Sequence, residues 1–424
     1  MRLRDYFCNK AVQDHKRIEA LPMTGALSGF TVVDLTQGLC GPFVSMRLGD
    51  AGAEVIKVEP LTGDTARTMG PPFLGNESAV FLSLNRNKKS LALDITKSEG
   101  QDIIRRLIAK VDVFLEDLGP RESEKLTLGY DDLRKRNPQL VYCAINAFGE
   151  EGPLRNLPGA EFVIQAMADY TNSLGRIGEP PVRLGTDVAS LNTGIFASQA
   201  VTAALLHRAR AGEGQRVAVS MLGALLHMRG IMWAAMSDPD DWYGFHLDHY
   251  TKPPDHGYKT KTGQVYFGLR RGSSEDWDQL MISLGLEEYI NDPRFAGFGR
   301  EATSIGRYAA EVKPIWEQGF KEMTNEEVVQ LVHEFNGDAV SFMDYPSLFE
   351  HPQVQALNIV QEIDHPTAGT FKTIGPVWRF SDTVAKVQSP PPTLGQHTEE
   401  ILTTLGVNHT EIQRLREAKV IVIP

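Results

Sequence analysis

Cysteine is scarce in this chain: three in 424 residues, Cys8, Cys40 and Cys143, odd in number and far apart. That excludes a disulfide framework or a cysteine-rich metal site, and the expectation is a protein of the reducing cytoplasm. No unbroken apolar run reaches the roughly 18 residues a spanning helix needs, so no stretch reads as a membrane segment. The opening "MRLRDYFCNKAVQDHKRIEALPMTG" mixes acids with bases and lacks the apolar block of a signal peptide. Basic charge is in deficit, with 43 Lys and Arg against 54 Asp and Glu. The net charge of -11 argues against nucleic-acid binding, which depends on neutralising phosphates with excess cations. His207, His227, His246 and His397 have no neighbour at metal-ligand or triad spacing, so no metal is expected. Internal repeats and low-complexity segments are absent, and no G-x-G-x-x-G follows a strand-like run, which removes support for a nicotinamide or flavin site.

What is present is an ordinary globular mixture, 42% hydrophobic and 23% charged, long enough for more than one core. "FTVVDLT" (Phe30–Thr36) is a β-branched run closed by the Gly/Pro loop "QGLCGP". A helical pattern through Val44, Met46 and Leu48 follows, then the strand-like "AEVIKVE" (Ala53–Glu59). Strand, loop, helix and strand in so short a span predict a βαβ unit and a parallel sheet. The alternation continues through "KSLALDI", the amphipathic "KSEGQDIIRRLIAKV", "VDVFLED" and "QLVYCAINAF".

The expected organisation is an arm over residues 1–25, a doubly wound Rossmann-like α/β domain over 26–224 and a smaller α+β domain over 225–345. Residues 346–424 are then a linker and a C-terminal segment returning to the large domain. In the small domain, "KPPDHGYKTKTGQVYFGLRR" reads as a turn and hairpin, and Thr324 with Glu327 as a capping box. "VQEIDHPTAGTFKTIGPVWRFS" reads as strand, turn, strand, and "SPPPTLGQHTEEILTTLGV" as a proline stop before a closing helix.

One stretch carries chemistry. "PVRLGTDVASLNTGIFASQAVTAALLHR" (Pro181–Arg208) runs from a strand-like piece through Asp187, Ser190 and Thr193 into an Ala-rich helix read from Ile195. Unpaired backbone N–H groups and the helix dipole make such an entrance a favourable place for negative charge.

Five strings in fixed order resemble the class III CoA-transferases, a family that includes formyl-CoA transferase, carnitine CoA-transferase and α-methylacyl-CoA racemase. They are "VVDLTQGLCGPFVSMRLGDAGAEVIKVEPLTGDTAR", "SLNRNKKSLALDITKSEG", "NPQLVYCAINAFGEEGP", "GEGQRVAVSM" and "PPPTLGQHTEEIL". The resemblance implies a Rossmann-like large domain, a smaller domain on long linkers, and a dimer of interlocked chains. It further implies coenzyme A as the substrate thioester, bound by Gln37, Gly38, Leu39, Gly41, Leu84, Asn85, Arg86, Lys88 and Lys125. Spacing alone reads Arg86, Lys88 and Lys89 as a solvated basic turn; the resemblance favours phosphate contacts instead.

In the family, an aspartate in the pattern Asp-x-x-x-Gly attacks the donor thioester to form a mixed anhydride, and CoA thiolate then returns to give an enzyme-bound thioester that the acceptor carboxylate resolves. A carboxylate serves as both nucleophile and leaving group; a serine ester would be too stable to return its acyl group to CoA. Here Gly194 matches the glycine, and Ser190 stands where the aspartate belongs. Asp187 falls three positions early, about 10 Å away if the segment is extended. The favoured expectation is a CoA-transferase subunit lacking the catalytic aspartate and supporting a homologous chain that keeps it, as in heteromeric members from anaerobic aromatic degradation. The alternative is a self-sufficient enzyme using Asp187 or Glu161. Racemisation fits least, because Ala160 and Glu161 replace the family's His-Asp pair. Trp233, Trp242, Tyr243 and Phe245 are candidates to line an apolar acyl site.

Overall fold

The computed structural model describes residues 25–171, 180–230, 257–268, 272–295 and 308–424. Residues 1–24 of the N-terminal arm, His246 and the aromatic stretch of Trp233, Trp242, Tyr243 and Phe245 lie outside the described residues.

The strand runs of the sequence become one seven-stranded sheet. In chain order its parallel strands are β1 (Thr31–Asp34), β2 (Glu54–Glu59), β3 (Lys88–Leu93), β4 (Val113–Glu116), β5 (Val141–Asn146) and β6 (Arg216–Ser220). Their spatial order is 3-2-1-4-5-6, the doubly wound arrangement, with its topological switch between β1 and β4. The intervening helices include α1 (Cys40–Asp50), α2 (Ala79–Leu84), α3 (Ser98–Ile108), α4 (Pro120–Lys125), α5 (Glu161–Met167) and α6 (Val188–Ala211).

Both faces of the sheet are covered, which explains why its strands read as continuous apolar runs rather than alternating ones. Val32, Val113, Leu115, Val141 and Cys143 face one way, into a core shared with Val44 and Leu48 of α1 and Ala197 and Val201 of α6. Val33, Phe114 and Tyr142 face the other, against Ile104 and Leu107 of α3. Although α6 has the length and apolar content to cross a membrane, half of that window is buried inside the protein.

The chain divides into two compact units. One takes the described residues through Gly159, then Ala189–Ala224 and Asn358–Pro424; the other takes Ala160–Val188 and Leu225–Leu357. In the first unit, the strand-turn-strand reading of the sequence is a β-hairpin, Val360–His365 with Gly369–Ile374. The chain then returns to the sheet through α7 (Thr398–Thr404), α8 (His409–Glu417) and a final strand, Ile421–Val422, antiparallel to β3. Neither α8 nor that last strand is among the sequence expectations. In the second unit, a small antiparallel sheet packs on helices Ser274–Ser283, Ala309–Phe320 and Asn325–Glu334. Its core is aromatic: Trp316 lies 4.9 Å from Phe267, 5.2 Å from Trp277 and 5.6 Å from Phe295. The Thr324–Glu327 capping box is formed, and Ser273 with Asp276 makes a second one.

One local expectation needs correction. The helix read from Ile195 begins at Val188, so Ser190 lies inside its first turn and Asp187 immediately precedes it. The polar residues ahead of Ile195 are the entrance of the helix rather than an extended loop.

Candidate functional site

A doubly wound sheet places its ligand crevice beyond the carboxyl ends of the strands, at the switch point. Here the loop after β1, Leu35–Leu39, leaves that edge and enters α1. Its backbone is held by groups from three neighbours. The Gln37 N–H donates to Asp117 Oδ2 beyond β4 at 2.9 Å, and the Gly38 N–H donates to Asp64 Oδ1 at 2.8 Å. Lys57 Nζ, from β2, donates to the Thr36 carbonyl at 2.9 Å. Just past the loop, Lys88 Nζ, from β3, donates to the Pro42 carbonyl in the first turn of α1 at 2.9 Å.

These side chains form a buried ionic core. Lys57 Nζ lies 2.6 Å from Asp64 and 3.8 Å from Asp34, and Lys88 Nζ lies 3.2 Å from Asp34, all four side chains being fully buried. Burial alone would raise the Asp34 carboxyl, but Lys57, Lys88 and the hydroxyls of Ser45 and Thr36 hold it well below the usual range. Burial works against the Lys57 ammonium as well; Asp34, Asp64 and Glu59 outweigh it and keep the group charged. For Lys88 burial wins, and the ammonium is pushed down to about 7 despite the attraction of Asp34. Beside this core, Glu59 takes a two-point contact from Arg67 at 2.7 and 2.9 Å and a hydroxyl from Ser90 at 2.6 Å.

The residues anticipated to hold CoA divide into two groups. Gln37, Gly38, Leu39 and Gly41 all lie on the loop after β1 or the first turn of α1. Gly38 has φ +75°, a backbone state that favours glycine, and a Cβ on Gly41 would land 2.1 Å from Thr36 Oγ1. Leu84, Asn85, Arg86 and Lys88 are all buried. Arg86 meets Asp50 at 2.7 and 2.9 Å and donates to the Ile374 carbonyl, while Asn85 Oδ1 accepts from Lys88 at 2.7 Å. Arg86 and Lys88 are therefore not a solvated turn; their charges are matched inside the protein. Lys89, with its side chain 35% exposed, bridges Glu54 and Glu400. Lys125 is exposed at the end of α4, paired with Glu122 at 3.0 Å. A cleft of about 230 Å³ opens at this edge, lined by Leu35, Gln37, Pro60, Ile95, Leu118 and Leu126 among others.

The entrance of α6 holds the other candidates. Asp187 lies 3.5 Å from Arg183. Partial burial and the nearby charge of Glu161 raise its carboxyl above the usual range, with Arg183 opposing. Glu161 opens α5, and the fully buried Gln165 one turn on donates to Glu161 Oε1 at 2.8 Å and to the Thr186 carbonyl at 3.2 Å. Ser190 is buried, at 4% exposure, and Thr193 donates back to the Ala189 carbonyl at 2.6 Å. Gly194 allows close packing of α6 on α1, since a Cβ there would sit 2.7 Å from the Phe43 ring. The three-residue step from Asp187 to Ser190 is thus about one helical turn, roughly 4.5 Å of rise rather than about 10 Å.

Comparison with known proteins decides the family. Residues 27–398 match the profile of CoA-transferase family III. The chain belongs to CoA-transferase family III. It is 33% identical over 384 residues to the human succinyl-CoA:glutarate CoA-transferase, covering 89% of this chain and 85% of that protein. It is 29% identical over 402 residues to the succinyl-CoA–L-malate CoA-transferase beta subunit of Chloroflexus aurantiacus, covering 93% and 98% of the two chains. The crystal structure of a CAIB/BAIF family protein from Brucella suis superimposes with a TM-score of 0.79 at 29% identity, over 90% of this chain and all of that one.

Within this family III fold, the buried Asp34, Lys57 and Asp64 escaped sequence reasoning. For two of them the signal was there: Asp34 in "TVVDLT" and Lys57 in "VIKV" are single charges in runs otherwise uncharged, which call for a buried partner. Gln165 left no comparable mark.

Proposed function

We propose that this chain moves coenzyme A from an acyl-CoA donor, succinyl-CoA foremost, to a carboxylic acid, with Asp187 as the reacting carboxylate. The observation that carries the assignment is the start of α6 at Val188, which brings a carboxylate within one turn of position 190 at a helix N-terminus. An Asp187 oxygen attacks the thioester carbonyl and the C–S bond breaks, leaving a mixed anhydride and CoA thiolate. The thiolate attacks the aspartyl carbonyl, releasing the donor acid and forming an enzyme thioester. The acceptor carboxylate attacks that thioester, and returning thiolate cleaves the second anhydride, giving the new acyl-CoA and free Asp187. No proton or external reductant is consumed. In this reading the CoA moiety uses the cleft at the sheet edge, the Gln37–Gly41 backbone and Lys125. The dicarboxylate-handling relatives support succinyl-CoA as donor and a dicarboxylic acid as acceptor. The scattered cysteines support a cytoplasmic site of action.

A second reading rests on Ser190. A buried hydroxyl at the family's aspartate position suits a chain that supports a homologous subunit bearing the aspartate, and one relative is named as a beta subunit. Purified alone, the chain is given succinyl-CoA and glutarate, and the enzyme-bound thioester is trapped with hydroxylamine and mapped by mass spectrometry. The expected result is turnover with the hydroxamate on Asp187. A label on Glu161 overturns the choice of Asp187. Inactivity that is relieved only by a homologous aspartate-bearing chain establishes the second reading.

A further inference from the structure

A glycine-containing loop has few side chains with which to hold its own shape. The segment from Thr36 to Pro42 contains two glycines, one at positive φ and one with no room for a Cβ. Nevertheless it is fixed at both ends and in the middle by fully buried groups. Lys57 donates to the Thr36 carbonyl, Lys88 to the Pro42 carbonyl, and Asp64 accepts the Gly38 N–H, each within 2.9 Å. Asp34 lies between the two ammonium groups and also accepts the hydroxyls of Thr36 and Ser45. Three adjacent strands, β3, β2 and β1, thereby converge on one loop.

Stability alone does not account for this arrangement. Well-packed apolar residues commonly replace buried ion pairs with no loss, because desolvation offsets most of the Coulombic gain. Apolar side chains lack donors for the Thr36 carbonyl in the loop and the Pro42 carbonyl at the start of α1, and an acceptor for the Gly38 amide. The ions supply these contacts, and a ligand arriving at a preset backbone does not bear the ordering cost.

We propose that Lys57, Lys88, Asp34 and Asp64 are positioning residues for coenzyme A: an ionic clamp that fixes the Thr36–Pro42 backbone in its ligand-receiving shape. The proposal rests on the reading that this loop receives CoA. The clamp touches no substrate and acts only through the loop.

The test uses the full chain and free CoA as the probe. The double variant Lys57→Met/Asp64→Asn removes one cation and one anion together, leaving the net charge of the core unchanged. Calorimetric titration with CoA is paired with amide hydrogen exchange. The expected result is a dissociation constant raised at least tenfold, with faster exchange at Gln37 and Gly38 and wild-type protection in β1 and β4. In turnover, KM for acyl-CoA rises while kcat changes less than threefold. Equal affinity and unchanged exchange at the loop overturn the clamp. If the double variant fails to fold, Asp64→Asn alone, isosteric and with an acceptor oxygen still facing Gly38, is read the same way with a smaller expected shift of about threefold. A wild-type chain that binds no CoA overturns the assignment of the loop itself. Wild-type binding with undiminished variant affinity overturns the clamp alone.

Discussion

The loop after β1 and the entrance of α6 are held in opposite ways. The first is fixed by four buried ionisable side chains whose hydrogen bonds end on its backbone or on the first turn of α1. At the second, the contacts seen among the described residues include the amide of Gln165 and an Arg183–Asp187 pair whose side chains are 59% and 39% exposed. The buried set is expensive to assemble and rigid once made. The exposed pair contributes little and is free to rearrange. Under the proposed function the contrast has a use: a binding element gains from being set before the ligand arrives, and a nucleophile that bonds to successive acyl groups gains from freedom to move.

Four substitutions break or sharpen this contrast. Asp187→Asn, at the loosely held end, is expected to lower kcat by about a thousandfold or more, as removal of a covalent nucleophile does. CoA affinity and melting temperature should stay near wild type. Near-normal turnover would remove Asp187 from the chemistry. Gly41→Ala, at the rigid end, should do the reverse and act on the fold, since the new methyl overlaps Thr36. Overpacking of this kind costs about 1–3 kcal/mol, read from urea midpoints. An unchanged midpoint would show that the loop yields.

Lys88→Met tests the ionic core through pH. The Lys88 ammonium has its pKa lowered from 10.5 to about 7 on folding, so between those values the unfolded chain keeps a proton that the folded chain has released. Stability therefore rises with pH across that window, and the variant should flatten the rise. A rise of the same slope in both proteins would assign it to other groups. Arg183→Ala is the smallest, with an expected loss of about 1 kcal/mol or less, as for exposed pairs. A larger loss in thermal denaturation would mean that the entrance of α6 is more firmly held than its exposure indicates.

The sheet was legible because its strands are short apolar β-branched runs separated by Gly/Pro loops and amphipathic helices. Periodicity of that kind survives without knowledge of tertiary contacts. Ile421–Val422 was not, because a two-residue edge strand is defined by its partner, not by its own pattern. The start of α6 was obscured by Gly185, Thr186 and Asp187, which resemble loop residues; the helix entrance itself was legible, and what was misplaced was its first residue, Val188 rather than Ile195. Arg86 and Lys88 illustrate a different limit. A local run of cations looks solvated unless one knows that Asp50 and Asp34, distant in sequence, face them.

The antiparallel strand at Ile421–Val422 has a consequence for biosynthesis. Until Ile421 and Val422 leave the ribosome, β3 has one unsatisfied flank, and the apolar surface later covered by Leu402, Ile412 and Leu415 faces solvent while those residues are also unmade. The nascent polypeptide must carry that sticky margin throughout translation of the inserted unit, an interval in which edge-to-edge association competes with closure. Chains cut short before Ile421 are therefore expected to associate through the open flank of β3 and to lose yield of soluble protein on expression.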